Sequence, residues 1–216
     1  MRAPRSVVML AACALACAAH VEAPTTGAPS TSASSIRPPP PPAGATITDV
    51  AKTYVHRTVD PESSMPTVGG WVRVHAPLED AYRVALRFGE IKDLDPEIEQ
   101  STVVDRHPDM DATDVYLRIP TFMHEYVWAV VRFRPVASDT GTHAYRGDEV
   151  DGNLDDLRIS WRLVADGPNE TLAQIELLAD PKLPLPRAWL VPQLVDGVRI
   201  MLTRFRAKVE TGYAGN

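Results

Sequence analysis

The side chains able to do chemistry are spread thinly along this chain. His56, His75, His107, His124 and His143 are never paired at a spacing of three or four, which is what two ligands on one helical turn would need. They read as solvated or hydrogen-bonding histidines rather than as a metal or catalytic set, with His124-Glu125, opening a strand after Pro120-Thr121-Phe122-Met123, the least ordinary of them. Asp148, Glu149, Asp151, Asp155 and Asp156 crowd around Gly152 and offer the oxygen ligands that a hard cation takes, but not at the spacing of a calcium-binding helical hairpin. Asp109, Asp111 and Asp114 are a weaker group of the same kind. No Gly-x-Ser-x-Gly elbow, His-Glu-x-x-His helix, phosphate-binding loop or dinucleotide fingerprint occurs after the leader. The residues therefore name no catalytic group, no metal site and no cofactor.

The two cysteines carry a different chemistry. Both lie in the first segment, where Arg2 and Arg5 precede the apolar run from Val7 to Ala16, a pattern of bacterial secretory signals and too short to span a bilayer. Leu10-Ala11-Ala12-Cys13 and Ala14-Leu15-Ala16-Cys17 both resemble the lipobox of bacterial lipoproteins, whose cysteine becomes the lipidated first residue. Cys17 is favoured, since cleavage before Cys13 leaves a very short apolar core. Ordinary cleavage after Ala16, Ala18 or Ala19 is the alternative and gives a soluble periplasmic or secreted protein. Either way the exported domain has no thiol for a disulfide or a metal.

Residues 17–47 are rich in Pro, Ser, Thr and Ala, with an unbroken proline run from Pro38 to Pro42. Such a stretch cannot bury enough apolar surface to order itself, and polyproline stays extended at about 3.1 Å per residue. The organisation expected is a signal peptide over 1–16, a disordered tether over 17–47 and one domain over 48–216. The location expected is the bacterial cell envelope, at the periplasmic or outer-membrane face, with the membrane reached through the lipid anchor.

The elements that must position any site are legible within the domain. Trp71 to His75 alternates as a strand and runs through Ala76-Pro77 into a helix announced by Glu79 and Asp80, with Ala81, Val84, Ala85 and Phe88 as its buried stripe. A turn-rich passage from Glu90 to Pro96 has room for a short second helix. Strand-like segments follow at 97–106, 113–119, 124–133, 142–149, 157–164 and 171–179. Val115, Leu117 and Ile119 share one face against Asp114, Tyr116 and Arg118; Leu157, Ile159, Trp161 and Leu163 oppose Arg158, Ser160 and Arg162. That pattern is a half-solvated antiparallel sheet. Asp180 to Arg187, with three prolines, forms an extended hinge into a long helix whose apolar face holds Val191, Leu194, Val195, Val198, Met201, Leu202, Phe205 and Val209.

These features resemble the START-like (SRPBCC) helix-grip superfamily, which contains START lipid-transfer domains, polyketide cyclases and aromatases, coenzyme Q-binding proteins and the birch-pollen allergens. The resemblance runs from about Ile47 to Thr211. It is carried by Val72 to Tyr82, by Ser101-Thr102-Val103-Val104, by Ile159 to Leu163 and by the proline-rich hinge before the last helix. It implies an α+β fold in which a bent, seven-stranded antiparallel sheet wraps around the long carboxyl-terminal helix, with short helices after the first strand and an apolar cavity between sheet and helix. One fold hosts many functions, so it does not fix a ligand.

On that frame the ligand-binding candidates are Tyr126, Trp128, Trp161, Leu194, Gly197, Val198, Met201 and Phe205, and each has plain core packing as its alternative. Gly197 stands out, because a glycine inside the helix removes a side chain where a ligand would fit. Phe122, His124, Tyr145 and Leu185 are placed at the cavity mouth, and Arg132 is a weaker choice because its strand has mixed faces. Gating would fall to Leu183–Pro186 and Pro120–Met123. The function expected is non-catalytic binding, and transport, of a lipid, sterol or polyketide-like molecule. A cyclase- or aromatase-like enzyme, or an interaction module with a filled cavity, is the alternative. Arg187, Arg199, Arg204, Arg206 and Lys208 present either a headgroup-binding surface or a solvated helix face. A formal net charge of −6 argues against nucleic acid. The chain is expected to act as a monomer.

Overall fold

The structure, a computed structural model, describes residues 54–59, 63, 65–121, 126–182 and 186–214. The leader and tether, including Cys13 and Cys17, and the expected mouth residues Phe122, His124 and Leu185 lie outside the described residues.

Strands β1 (Tyr54–Thr58) and β2 (Thr67–Val74) precede helices α1 (Leu78–Ala85) and α2 (Ile91–Leu94), which are joined by a 3-10 turn at Phe88–Glu90. Six strands follow: β3 (Gln100–His107), β4 (Ala112–Pro120), β5 (Tyr126–Val136), β6 (Thr142–Gly152), β7 (Leu154–Ala165) and β8 (Thr171–Pro181). Helix α3 (Arg187–Ala214) closes the chain. All neighbouring strands pair antiparallel in the order β1-β2-β8-β7-β6-β5-β4-β3. This is the α+β sheet-and-helix arrangement expected, with eight strands in place of seven. The extra strand is β1, an edge strand held by backbone pairing to β2 on one side only, so its sequence need carry no alternating apolar face to announce it.

The β2–α1 connection is set locally. Pro77 has no N–H to leave unmet, Glu79 and Asp80 occupy the first turn of α1, and Thr171 Oγ1 donates to the Ala76 carbonyl at 2.8 Å, tying the turn to β8. Register shifts at Val103/Asp105, Val130/Val131 and Leu154/Asp156 insert bulges, which strengthen twist and bend long strands.

Helix α3 runs closest to β2 and β8 and also packs on α1 and α2. Val198, Leu202, Phe205 and Val209 on its inward face are buried, as the three-and-four spacing requires. Pro192 lies inside the helix near its start, where it removes one helical N–H. The cationic residues of α3 are largely answered within the fold: Lys208 Nζ lies 2.8 Å from both Glu90 and Asp93, Arg206 pairs with Glu210 at 2.9 Å, and Arg199 pairs with Asp196. Arg204 donates to the Asp93 carbonyl at 3.3 Å. The basic face thus serves in large part to fasten α3 to α2 and to itself.

Under α1 the interior is filled by rings. Phe88 stacks on Phe133 at 4.6 Å, Tyr145 lies 6.2 Å from Trp161, and Trp161 lies 5.0 Å from Phe205. Gly147 on β6 makes room for them. A β-carbon there would fall 2.6 Å from the Phe133 ring and 2.7 Å from Val131 Cγ1.

Candidate functional site

The half of the interior that the rings do not fill is a cavity of ≈ 630 Å³ between the sheet and the first half of α3. Strand parity supplies its apolar wall: Leu117 and Ile119 from β4, Val127 and Ala129 from β5, Leu157 and Ile159 from β7, Leu177 and Ala179 from β8. Leu190, Leu194, Gly197 and Met201 of α3 close the other side, on the i, i+4, i+7 and i+11 positions of one face. Ile91, Ile159, Leu177 and Met201 also border a small void of ≈ 30 Å³ beside Phe88, Tyr145 and Trp161, so these four mark where cavity gives way to packed rings. Pro120, Thr121, Pro181 and Trp189 line the cavity as well, and Trp189 is 47% exposed, which puts this group at the opening.

Few polar groups enter the lining. Asp95, Glu97, Glu99 and Gln193 do so from the stretch after α2 and from α3. Burial pushes the Asp95 carboxyl above its ordinary pKa, against the pull of the Glu97 backbone N–H and of Arg204. Burial raises Glu97 too, helped by the nearby charges of Asp95 and Asp196. An apolar cavity of this size with a few convergent polar groups is the usual form of a small-molecule site, where volumes run to about 300–1,000 Å³.

The residues anticipated from sequence fall in three places. Leu194, Gly197 and Met201 line the cavity. Trp161 borders only the small void, while Val198 and Phe205 are fully buried core. Tyr126 requires correction: alternation along β5 sends Val127 and Ala129 inward, and Tyr126 outward, 43% exposed, beneath the Arg118 guanidinium at 4.7 Å. Trp128 borders the cavity, yet its ring lies on that outer side, 6.1 Å from Tyr116. Tyr145 is not at the mouth but buried in the ring cluster, where its hydroxyl lies 3.4 Å from the Ala85 carbonyl and burial raises its pKa. Arg132 is on the outer face as well, gripping Asp114 through Nε at 2.8 Å and a terminal nitrogen at 2.7 Å, with His107 Nε2 at 2.9 Å from the same carboxylate.

The acidic group around Gly152 borders an open polar depression of ≈ 440 Å³ and is partly neutralised: Arg146 and Arg134 reach Asp148 at 2.6 and 2.8 Å, and Arg158 reaches Asp156 at 2.5 Å. Among the described residues no group of three His, Cys, Asp or Glu side chains is disposed to hold a metal ion, and no helix is long and apolar enough to cross a membrane. Asp95 and Glu97 are the most consequential of the lining residues that sequence reasoning missed. They sit in a turn-rich passage whose polar residues look solvated until α3 is laid across them.

Residues 74–206, more than half of the sequence, match the family described as polyketide cyclase / dehydrase and lipid transport. The chain belongs to that family. Its fold is shared with a STAR-related lipid transfer protein from Xanthomonas axonopodis (TM-score 0.62, 18% identity, 74% of this chain and 95% of that one). A START superfamily protein from Mycobacterium smegmatis is similar over 67% of this chain and 97% of its own (TM-score 0.55, 18% identity). Human StAR-related lipid transfer protein 5 aligns over 76% of this chain and 82% of its own (TM-score 0.61, 14% identity). A search of curated proteins finds no match.

Proposed function

We propose that this START-like domain binds and carries a hydrophobic molecule, a lipid, sterol or polyketide-like compound, in the bacterial cell envelope. The observation that carries the reading is the ≈ 630 Å³ cavity, walled by aliphatic side chains and left open because Gly197 and the small residues Ala129 and Ala179 do not fill it. Burial of apolar area at about 25 cal/mol per Å² would supply the affinity without any covalent step. The names of two similar structures, both lipid transfer proteins, agree with this use of the fold.

The envelope setting rests on the sequence. A lipidated Cys17 followed by an extended, proline-rich tether would hold the domain off a membrane while keeping the cavity within reach of it. Native mass spectrometry of the protein purified from its own host, with extraction of whatever it holds, tests the function directly. A co-purifying hydrophobic molecule released intact supports carriage. A protein that is empty and takes up no lipid in reconstitution overturns it, and conversion of the bound molecule to a product moves the function to the cyclase-type alternative.

A further inference from the structure

The cavity has one polar pole, and its chemistry bears on which ligands the proposed carrier would accept. Asp95 ends α2 with only 9% of its surface exposed. Its Oδ1 accepts the Glu97 backbone N–H at 3.0 Å, which fixes the carboxyl across the Asp95-Pro96 turn. Oδ2 faces α3 where Gly197 has no side chain; a β-carbon there would stand 3.6 Å from it. Among the described residues no donor and no cation reaches Oδ2. Arg204 acts on Asp95 only at longer range, its guanidinium donating to the Asp93 carbonyl instead. Oδ2 is therefore an acceptor at the cavity wall that the fold itself leaves available, and acceptors of this kind in folded proteins are nearly always met by some donor. Glu97 and Glu99 line the same end; Arg118 answers Glu99 at 3.3 Å and Arg199 answers Asp196, which leaves Asp95 and Glu97 as the carboxylates that give this end its negative character.

Resting on the reading of the cavity as a ligand site, we propose that Asp95 Oδ2 accepts a hydrogen bond from the hydroxyl or amino head of an amphiphile. Its tail then lies along Ile159, Leu177 and Met201, and the surrounding carboxylates reject heads that are carboxylates or phosphates. The shared chemistry is a donor-bearing head. A hydroxyl answers Oδ2 with one neutral donor, whereas an ammonium adds attraction to Asp95 and Glu97.

The test uses the delipidated full-length protein and three probes with one common long alkyl tail: an alcohol, an amine and a fatty acid, titrated calorimetrically at neutral pH. The alcohol and the amine are expected to bind roughly tenfold or more tighter than the fatty acid, the worth of one hydrogen bond together with like-charge exclusion. An amine well ahead of the alcohol identifies a cationic head, and the two together ahead of the acid identify a hydroxyl-type anchor. Asp95→Asn is the informative variant. The Glu97 N–H holds the amide oxygen in the Oδ1 position, so an N–H donor replaces Oδ2 and the preference should collapse or turn toward the fatty acid. Where Asp95→Asn does not fold, Glu97→Gln should narrow the ratio by weakening the negative field. Wild-type protein that binds all three alike, or a ratio unchanged in Asp95→Asn, overturns this inference and leaves the carrier reading standing. Failure of all three probes to bind overturns both.

Discussion

Gly197 on α3 faces Asp95 at ordinary van der Waals range: a β-carbon added to the glycine would lie 3.6 Å from Asp95 Oδ2 and meet nothing else within 4 Å. Glycine inside a helix costs about 0.5–1 kcal/mol relative to alanine, and here sterics do not demand it. The space it leaves belongs to the cavity. Gly197→Leu should therefore reduce affinity for hydrophobic ligands by tenfold or more while the melting temperature holds or rises. Gly197→Ala should raise stability and spare binding. Thermal melts beside ligand titration check this, and a large fall in melting temperature for Gly197→Leu would show that the site is packed.

The ring cluster should behave in the opposite way. Phe205 is fully buried against Trp161, so Phe205→Ala is expected to cost about 3–5 kcal/mol, the range for deleting a core aromatic. Trp189 at the opening is 47% exposed, and Trp189→Ala should change stability by less than about 1 kcal/mol while altering ligand uptake. Denaturant unfolding of both variants separates plug from mouth.

What the sequence could show follows from what fixes each feature. Parity within a strand is local, so the inward faces of Val115-Leu117-Ile119 and Leu157-Ile159-Trp161-Leu163 are legible: five of these residues are buried, and Ile119 and Ile159 are half-buried at the cavity wall. Tyr126 is out of phase with the inward Val127 and Ala129, and on a strand a one-residue step moves a side chain to the other face. Parity gives a face but no depth, which is why Tyr145 turned out to be buried among rings instead of at the mouth. Asp95 is harder still. Its local sequence is that of a solvated turn, and its burial arises only when α3 crosses it from roughly a hundred residues away in the chain.

The anchor is open to a direct test. Cys17→Ser is expected to abolish metabolic labelling by a fatty acid analogue and to move the protein from the membrane fraction to the soluble one. Labelling lost with Cys13→Ser and kept with Cys17→Ser would transfer the anchor to the earlier cysteine. Labelling kept in both single variants and in the double variant would remove the lipoprotein reading.

The acid limit of the fold should be set in part by Asp114. Hydrogen bonds from Arg132 lower its pKa from the ordinary 3.8 to about 2, with His107 adding to the effect and burial opposing it. A carboxyl with a folded-state pKa below its unfolded one stabilises the fold above the unfolded value, and that contribution disappears as pH falls through the folded value. Its size is on the order of 2 kcal/mol: the fall from 3.8 to about 2 corresponds to about 2.4 kcal/mol at 1.36 kcal/mol per unit, less a discount for solvent screening on the outer face of the sheet. Stability of the wild-type domain should thus fall between about pH 4 and pH 2. Asp114→Asn keeps the shape but has no charge to offer Arg132, so it should be less stable by about 2 kcal/mol at neutral pH and should lose less on acidification. The measurement is denaturant unfolding of both proteins across that pH range. Parallel curves would mean that the Arg132–Asp114 pair contributes nothing to the acid sensitivity; curves that converge toward pH 2 would assign it to this one carboxylate on the outer face of the sheet.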